Sequence, residues 1–126
     1  MRDVHGEVVV YGNTYADAFQ QLSDERFKTN IEPVTDALGT ISKLQGYTYD
    51  WKRSSNPGMN FSEGRQIGLI AQQVRTAAPQ MVSTDRNGHL TVQYQSAIPL
   101  LIEALKQLEK ENQDLRARLD ELSARK

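Results

Sequence analysis

The apolar residues of this chain change their spacing along its length, and each spacing predicts a different element. From Ile98 to Leu122 they recur at heptad intervals. With Ile98 as position a, the a positions are Ile98, Leu105, Asn112 and Leu119, and the d positions are Leu101, Leu108, Leu115 and Leu122. Seven of these eight are Leu or Ile. A sustained repeat of 3.5 residues keeps one narrow apolar seam facing a partner helix, which predicts a left-handed coiled coil. A lone helix with so narrow a seam is barely stable, so the expectation is a chain that associates with itself. The other way to cover such a helix is to dock it on its own domain. Asn112 either sets register and chain number or marks where the coil begins to fray. Glu111 at g can meet Arg116 at e of a neighbouring parallel chain.

Upstream the patterns are shorter. Pro33 opens a predicted helix in which Val34, Ala37, Leu38, Ile41 and Leu44 recur at helical spacing, with Gly46 as its stop. Tyr47 to Trp51 alternates rings with polar residues, as a half-buried strand does, and pairs with a second strand at Gln66 to Ile70. Between them Arg53 to Gly64 is a polar excursion. Ala71 to Ala77 predicts a short helix ending before Pro79. Met81 to Thr84 and His89 to Gln93 flank Asn87-Gly88, a hairpin signal. Ser96 then opens the long helix, with Pro99 tolerated in its first turn. At the other end, Val8, Val9, Val10, Tyr11 and Tyr15 lie among turn formers from Gly6 onward, which predicts short strands. They have little to pack on in their own chain and read as the tail end of a β-rich stalk. The fold class is α+β, a helix and two hairpins hung on a long C-terminal coiled-coil helix.

Composition narrows the functions. With 126 residues and the helix taking the last quarter, about one small domain remains. A net charge of -1 argues against a general nucleic-acid or membrane-surface binder. No apolar run is long enough for a bilayer span, and no signal peptide opens the chain. There is no cysteine, and neither His5 nor His89 has a second ligand at metal-site spacing, so no metal or cofactor is expected.

Three blocks then occur in order. The first is Ser23-Asp24-Glu25-Arg26-Phe27-Lys28-Thr29-Asn30-Ile31. The second is Ile67-Gly68-Leu69-Ile70-Ala71-Gln72-Gln73-Val74, followed by Pro79 and Val82. The third is Val92-Gln93-Tyr94-Gln95-Ser96, leading into Ile98-Pro99-Leu100-Leu101-Ile102-Glu103-Ala104. Together they resemble the C-terminal intramolecular chaperone domain of endosialidase-type phage tailspikes and fibres, the self-cleaving chaperone-of-endosialidase peptidases. A related domain occurs in the myelin regulatory factor of animals. The resemblance runs from Ser23 to about Gln107. Phe27 stands where the family usually has Leu, and Gln73 where it often has Glu.

The resemblance implies a domain at the end of a trimeric fibre or spike. Such a domain brings three chains together and helps the stalk upstream to fold. It then cuts itself off before the Ser of the first block with a Ser-Lys dyad. Carried onto this sequence, the catalytic pair is Ser23 and Lys28, and the scissile bond is Leu22-Ser23. Residues 1–22 would be the stalk end, 23–97 the chaperone domain and 98–126 the coiled-coil helix. The implied partners are two further copies and the stalk of the same chain, with no nucleic acid and no membrane. The implied setting is a virion fibre or spike precursor assembled in the host bacterial cytoplasm. The alternative within the same fold is a trimerisation module that does not cut and stays attached.

The chemistry sets a condition. Serine attacks only once a base removes its proton, and no histidine lies near Ser23. A free lysine titrates near ~10.4 and is almost wholly protonated at neutral pH. Burial disfavours the ammonium form, so a lysine base belongs in a covered site. An assembled trimer covers more than a small open protomer does. Asn30 is a candidate for holding the oxyanion. Read without the three blocks, Ser23-Asp24-Glu25 is a common helix start and Lys28 a solvated charge. Tyr47, Tyr49 and Trp51 read as hairpin packing.

Overall fold

The computed structural model describes residues 3–125. Met1, Arg2 and Lys126, the outermost residues of the expected stalk end and C-terminal helix, lie outside them. The fold is α+β, with two small hairpins and a long C-terminal helix. The chain forms two compact units: one holds the residues through Ile31 together with Tyr47–Gly68, and the other holds Glu32–Gly46 and the chain from Leu69 onward.

The second unit contains the buried core. Helix α1 (Ala37–Ser42), helix α2 (Ala71–Ala77) and helix α3 (Ala97–Ala124) converge there. Ala37, Val74, Ala78, Met81, Leu100 and Ala104 form the buried cluster, with Leu38, Ile41, Leu44 and Leu69 packed against it. Helix α3 enters from a 3-10 turn at Tyr94–Ser96 and presents two apolar faces. Leu100 and Ala104, at heptad positions c and g, are 9% and 4% exposed. The seam beside them stays open: Ile98, Leu101, Leu105 and Leu108 are 59%, 46%, 65% and 42% exposed. Docking on its own domain thus uses one face of the helix and leaves the heptad seam free. Gln107, one turn beyond Leu100 and Ala104 on the same side, accepts the Leu38 N–H at 3.2 Å. A side chain of α3 therefore satisfies one of the amides that the first turn of α1 cannot pair internally.

Helix α1 begins four residues later than Pro33 predicts. Asp36 takes a left-handed conformation, φ 50° and ψ 42°, which stops the helix from extending back toward the proline. Asp is among the few side chains that enter this region with modest strain. Its carboxylate then fills the space above Gly39, where a Cβ would collide with it. Gly46 is not the stop. The helix ends at Ser42, with the Lys43 N–H on the Thr40 carbonyl at 3.1 Å, and Gly46 does not have a positive φ.

Strands β3 (Val82–Thr84) and β4 (Leu90–Val92) pair antiparallel in the register Val82↔Val92, Ser83↔Thr91, Thr84↔Leu90. Their turn differs from the two-residue form that Asn-Gly suggests. Only Gly88 has a positive φ, 83°, and Asn87 does not. The loop spans Arg86 to Gly88, closed by the Asp85 N–H on the His89 carbonyl at 2.9 Å. One carboxylate oxygen of Asp85 accepts the Asn87 and His89 amides at 2.8 and 3.0 Å. This side chain selects the longer turn by supplying acceptors for two loop amides.

In the first unit, β1 (Tyr47–Tyr49) and β2 (Gln66–Gly68) form the other antiparallel hairpin, Thr48 facing Ile67. Each is shorter than its apolar pattern, which ran on to Trp51 and Ile70. Its loop is pinned by Trp51 stacked on Phe61, centroids 4.5 Å apart and 7° from parallel, with Tyr49 edge-on to Trp51 at 5.2 Å. Arg53 closes the loop through Glu63 at 3.1 Å and the Phe61 carbonyl at 3.1 Å.

The strands expected between Gly6 and Tyr15 do not form; residues 3–22 contain no strand. A strand exists through its ladder, and no ladder partner meets this stretch within the chain. Its contacts with the hairpin loop include Asn60 Nδ2 on the Tyr11 carbonyl at 3.4 Å and the Ser62 hydroxyl on Asn13 Oδ1 at 3.2 Å. Among the described residues, no side chain of the first unit is buried.

Two expectations follow. Leu100→Ala should lower stability by about 2–5 kcal/mol at any protein concentration, because the face it empties lies inside one chain. Leu101→Ala, one residue on but in the seam, should show a cost that grows with protein concentration; urea melts at two concentrations separate them. The second concerns Asp85. The His89 amide, opposed by burial and helped by the Asn87 amide, holds its carboxyl below the usual 3.8. The depressed folded value means the carboxylate's contribution is complete above the unfolded value and is lost as pH falls through the folded one. Thermal melts from pH 7 to 2 should show that loss in the wild type, and Asp85→Asn should lack that part of the slope.

Candidate functional site

The polar block at Ser23–Ile31 folds as one tight turn. Glu25–Phe27 form a 3-10 helix with Asp24, not Ser23, as its cap. The Asp24 carboxylate accepts the Arg26 amide at 3.0 Å and Arg26 Nε at 3.1 Å. The Phe27 amide donates to the Asp24 carbonyl at 3.2 Å, and the Lys28 amide to the Glu25 carbonyl at 2.9 Å. The hydroxyl of Ser23 is thereby left free of capping duty. Lys28 Nζ lies 2.7 Å from it and donates to it.

A pair at that separation serves either direction of proton transfer. The ammonium donates to the hydroxyl; the neutral amine accepts from it. The reacting arrangement a Ser-Lys pair needs is a nucleophile and base within about 2.6–3.2 Å, and this contact lies inside that range. Ser23 and Lys28 are both exposed, and Leu22 is 77% exposed. The Leu22-Ser23 bond is therefore open to solvent in the single chain. Asn30, the oxyanion candidate, sits in left-handed backbone with φ 52°, and nothing aims its side chain at the Leu22 carbonyl.

The sequence reading brings Ser23 and Lys28 together and misses the device that does so. The signal was present: Asp two residues before Arg at the start of a turn is a capping pattern. The alternative reading put the helix start at Ser23, one residue too early.

The oligomerisation residues lie on α3. Besides the four named above, Leu115, Leu119 and Leu122 are 56%, 63% and 58% exposed, and Asn112 is exposed with them. The predicted seam is thus uncovered along its length in the single chain, apolar except at Asn112. No helix is long and apolar enough to cross a membrane among the described residues.

Residues 23–83 match the protein family described as chaperone of endosialidase. The match starts at Ser23. The chain is 33% identical over 119 residues to the long tail fiber protein Gp37 of Enterobacteria phage K3, covering 91% of this chain and 9% of that protein. It is 28% identical over 114 residues to Gp37 of Salmonella phage S16, covering 88% of this chain and 15% of that protein. A stretch of 75 residues is 35% identical to an uncharacterized protein of Dictyostelium discoideum, covering 58% of this chain and 6% of that protein. The chain therefore spans between 9% and 15% of the length of these tail-fibre relatives.

Proposed function

We propose, because residues 23–83 belong to the chaperone-of-endosialidase family, that this chain is the trimerising chaperone segment of a phage tail fibre and that it cuts itself from the fibre at Leu22-Ser23. The observation that carries the cleavage is the 2.7 Å contact of Lys28 Nζ with the Ser23 hydroxyl. It stands at the first residue of the family match and beside an exposed bond.

The reaction begins with the neutral amine of Lys28 taking the Ser23 hydroxyl proton as Oγ attacks the Leu22 carbonyl. The C–N bond breaks, the Ser23 nitrogen gains a proton and becomes a free amine, and Leu22 is held as an ester on Oγ. Water then adds to the ester carbonyl, the Leu22 carboxyl leaves, and the hydroxyl is restored. One water is consumed and no cofactor is required. The step needs lysine without its proton, a form that burial promotes. Lys28 is exposed in the single chain, so cover has to come from neighbouring copies.

The open seam on α3 supplies the means of assembly. A parallel trimer would bury Ile98, Leu101, Leu105, Leu108, Leu115, Leu119 and Leu122, each Leu contributing about 1.5–3 kcal/mol when fully covered. Residues 1–22 are then the stalk end, whose strands form with other copies as ladder partners. The chain works as part of a virion tail fibre assembled inside the host bacterium. A module of the same fold that trimerises but keeps its stalk is the second reading, favoured by the exposure of Lys28.

Intact mass of freshly expressed protein decides between them. The wild type should yield a fragment beginning at Ser23, and Ser23→Ala should stay whole while remaining trimeric by native mass. Lys28→Arg should slow cutting by about 10²–10⁴-fold, because guanidinium stays protonated and cannot act as base. An uncut wild-type trimer would establish the second reading.

Assembly and cutting should also be coupled. Leu105→Ser with Leu108→Ser should give monomers, and cleavage should fall with trimer content although Ser23 and Lys28 are untouched. Time courses at several dilutions, with native mass in parallel, test this. Cutting at the wild-type rate by a monomeric double variant would separate the two activities.

A further inference from the structure

We infer that Asp24 is a positioning residue of the self-cleavage site: its carboxylate caps the turn that holds Lys28 on Ser23. This rests on the cleavage reading above, and its test is arranged so that either can fail alone.

Ser23 and Lys28 are five residues apart. On an α-helix, side chains at that spacing point about 140° apart. On a strand they lie on opposite faces and about 16 Å apart. Neither regular element brings the amine to the hydroxyl. A single 3-10 turn does, provided it stops after one turn and the chain leaves extended. Both conditions are met. The turn occupies only Glu25–Phe27, and Lys28 follows at φ -114° and ψ 147°.

A turn of three residues has almost no cooperativity of its own. Two backbone bonds close it, Phe27 N–H to Asp24 O and Lys28 N–H to Glu25 O. The Arg26 amide has no carbonyl within the turn, and the Asp24 carboxylate accepts it. The same oxygen accepts Arg26 Nε, so the side chain of Arg26 keeps the carboxylate turned onto the turn. Both groups are largely in water, with side chains 39% and 76% exposed for Asp24 and Arg26. Their ion pair therefore contributes little as charge attraction. The role of Asp24 is geometric: it accepts amides and leaves the Ser23 hydroxyl to Lys28. The sequence offers the competing cap, since serine is as good a cap residue as aspartate. Ser23 capping the turn would engage the nucleophile's own oxygen.

The test compares Asp24→Ala with Asp24→Asn in the assembled chain. Loss of a cap should slow appearance of the Ser23-starting fragment about three- to tenfold in Asp24→Ala. Asp24→Asn keeps a cap oxygen and should recover to within about twofold. The pH–rate profile of Asp24→Ala should keep its shape, since no titrating group of the reaction is removed. Native mass should stay trimeric in both. Amide exchange of Phe27 and Lys28, followed by NMR, reads the turn without reference to cutting; it should quicken in Asp24→Ala and not in Asp24→Asn. Asp24→Asn as slow as Asp24→Ala, or a changed profile, overturns the proposal by making the charge itself the requirement. Wild-type rate and unchanged exchange in Asp24→Ala overturn it as well. Quickened exchange in Asp24→Ala alone, in a chain whose wild type does not cut, supports the turn and refutes the dyad.

Discussion

The structure depends on α3 carrying two apolar surfaces on one rod. Leu100 and Ala104 complete the core of the second unit, and Gln107 satisfies an amide of α1. Without that face α1 would keep only six residues and a left-handed aspartate at its start, too little to persist by propensity. The other surface begins at Ile98 and continues after the core has ended. From Leu108 to Arg125 every described side chain is exposed. Along that stretch the helix carries pairs of its own, Gln113 on Glu109 at 3.4 Å and Arg125 on Glu121 at 2.7 Å, and its seam is uncovered in the single chain. One element thus serves two surfaces, since the core face and the uncovered seam both need the same helix to be formed.

The first unit has the opposite problem. It has aromatic packing around Trp51 and Phe61 but no buried side chain, and it leaves Phe19, Leu22, Phe27, Ile31 and Ile67 between 63% and 83% exposed. Ser23 and Lys28 sit in this unit. Both side chains are exposed there, so any protein surface laid over the unit would change its stability and the surroundings of the Lys28 amine together.

Legibility followed locality. Helix α2 and the α3 seam were readable because their apolar periods are complete within the elements themselves. The hairpins were readable because ring-polar alternation and Asn87-Gly88 are short-range signals, though the turn type was not. It was decided by the Asp85 carboxylate, which competes for the loop amides. The start of α1 was misread because the sequence cannot announce that Asp36 enters left-handed space. The strands of Gly6–Tyr15 were misread because a strand belongs to its partner, and the apolar pattern exists without one here. At the candidate site, Ser23 and Lys28 were named through the family resemblance, since their residue types alone read as a helix start and a solvated charge; the turn that unites them hangs on the Asp24 carboxylate.

The contacts between residues 3–22 and the hairpin loop carry a different consequence. While the chain is continuous, Asn60 and Ser62 meet Tyr11 and Asn13 at the high local concentration that a covalent tether imposes, and weak bonds suffice. A break at Leu22-Ser23 would make these exposed bonds an encounter between separate molecules, each bond net about 1 kcal/mol. Association would then have to overcome the several kcal/mol of lost translational and rotational freedom that the tether had suppressed. Exposed bonds of this kind contribute little toward that. Were the Leu22-Ser23 bond cut as proposed, neighbours by connectivity would become separate molecules, held only by whatever contacts outlast the tether.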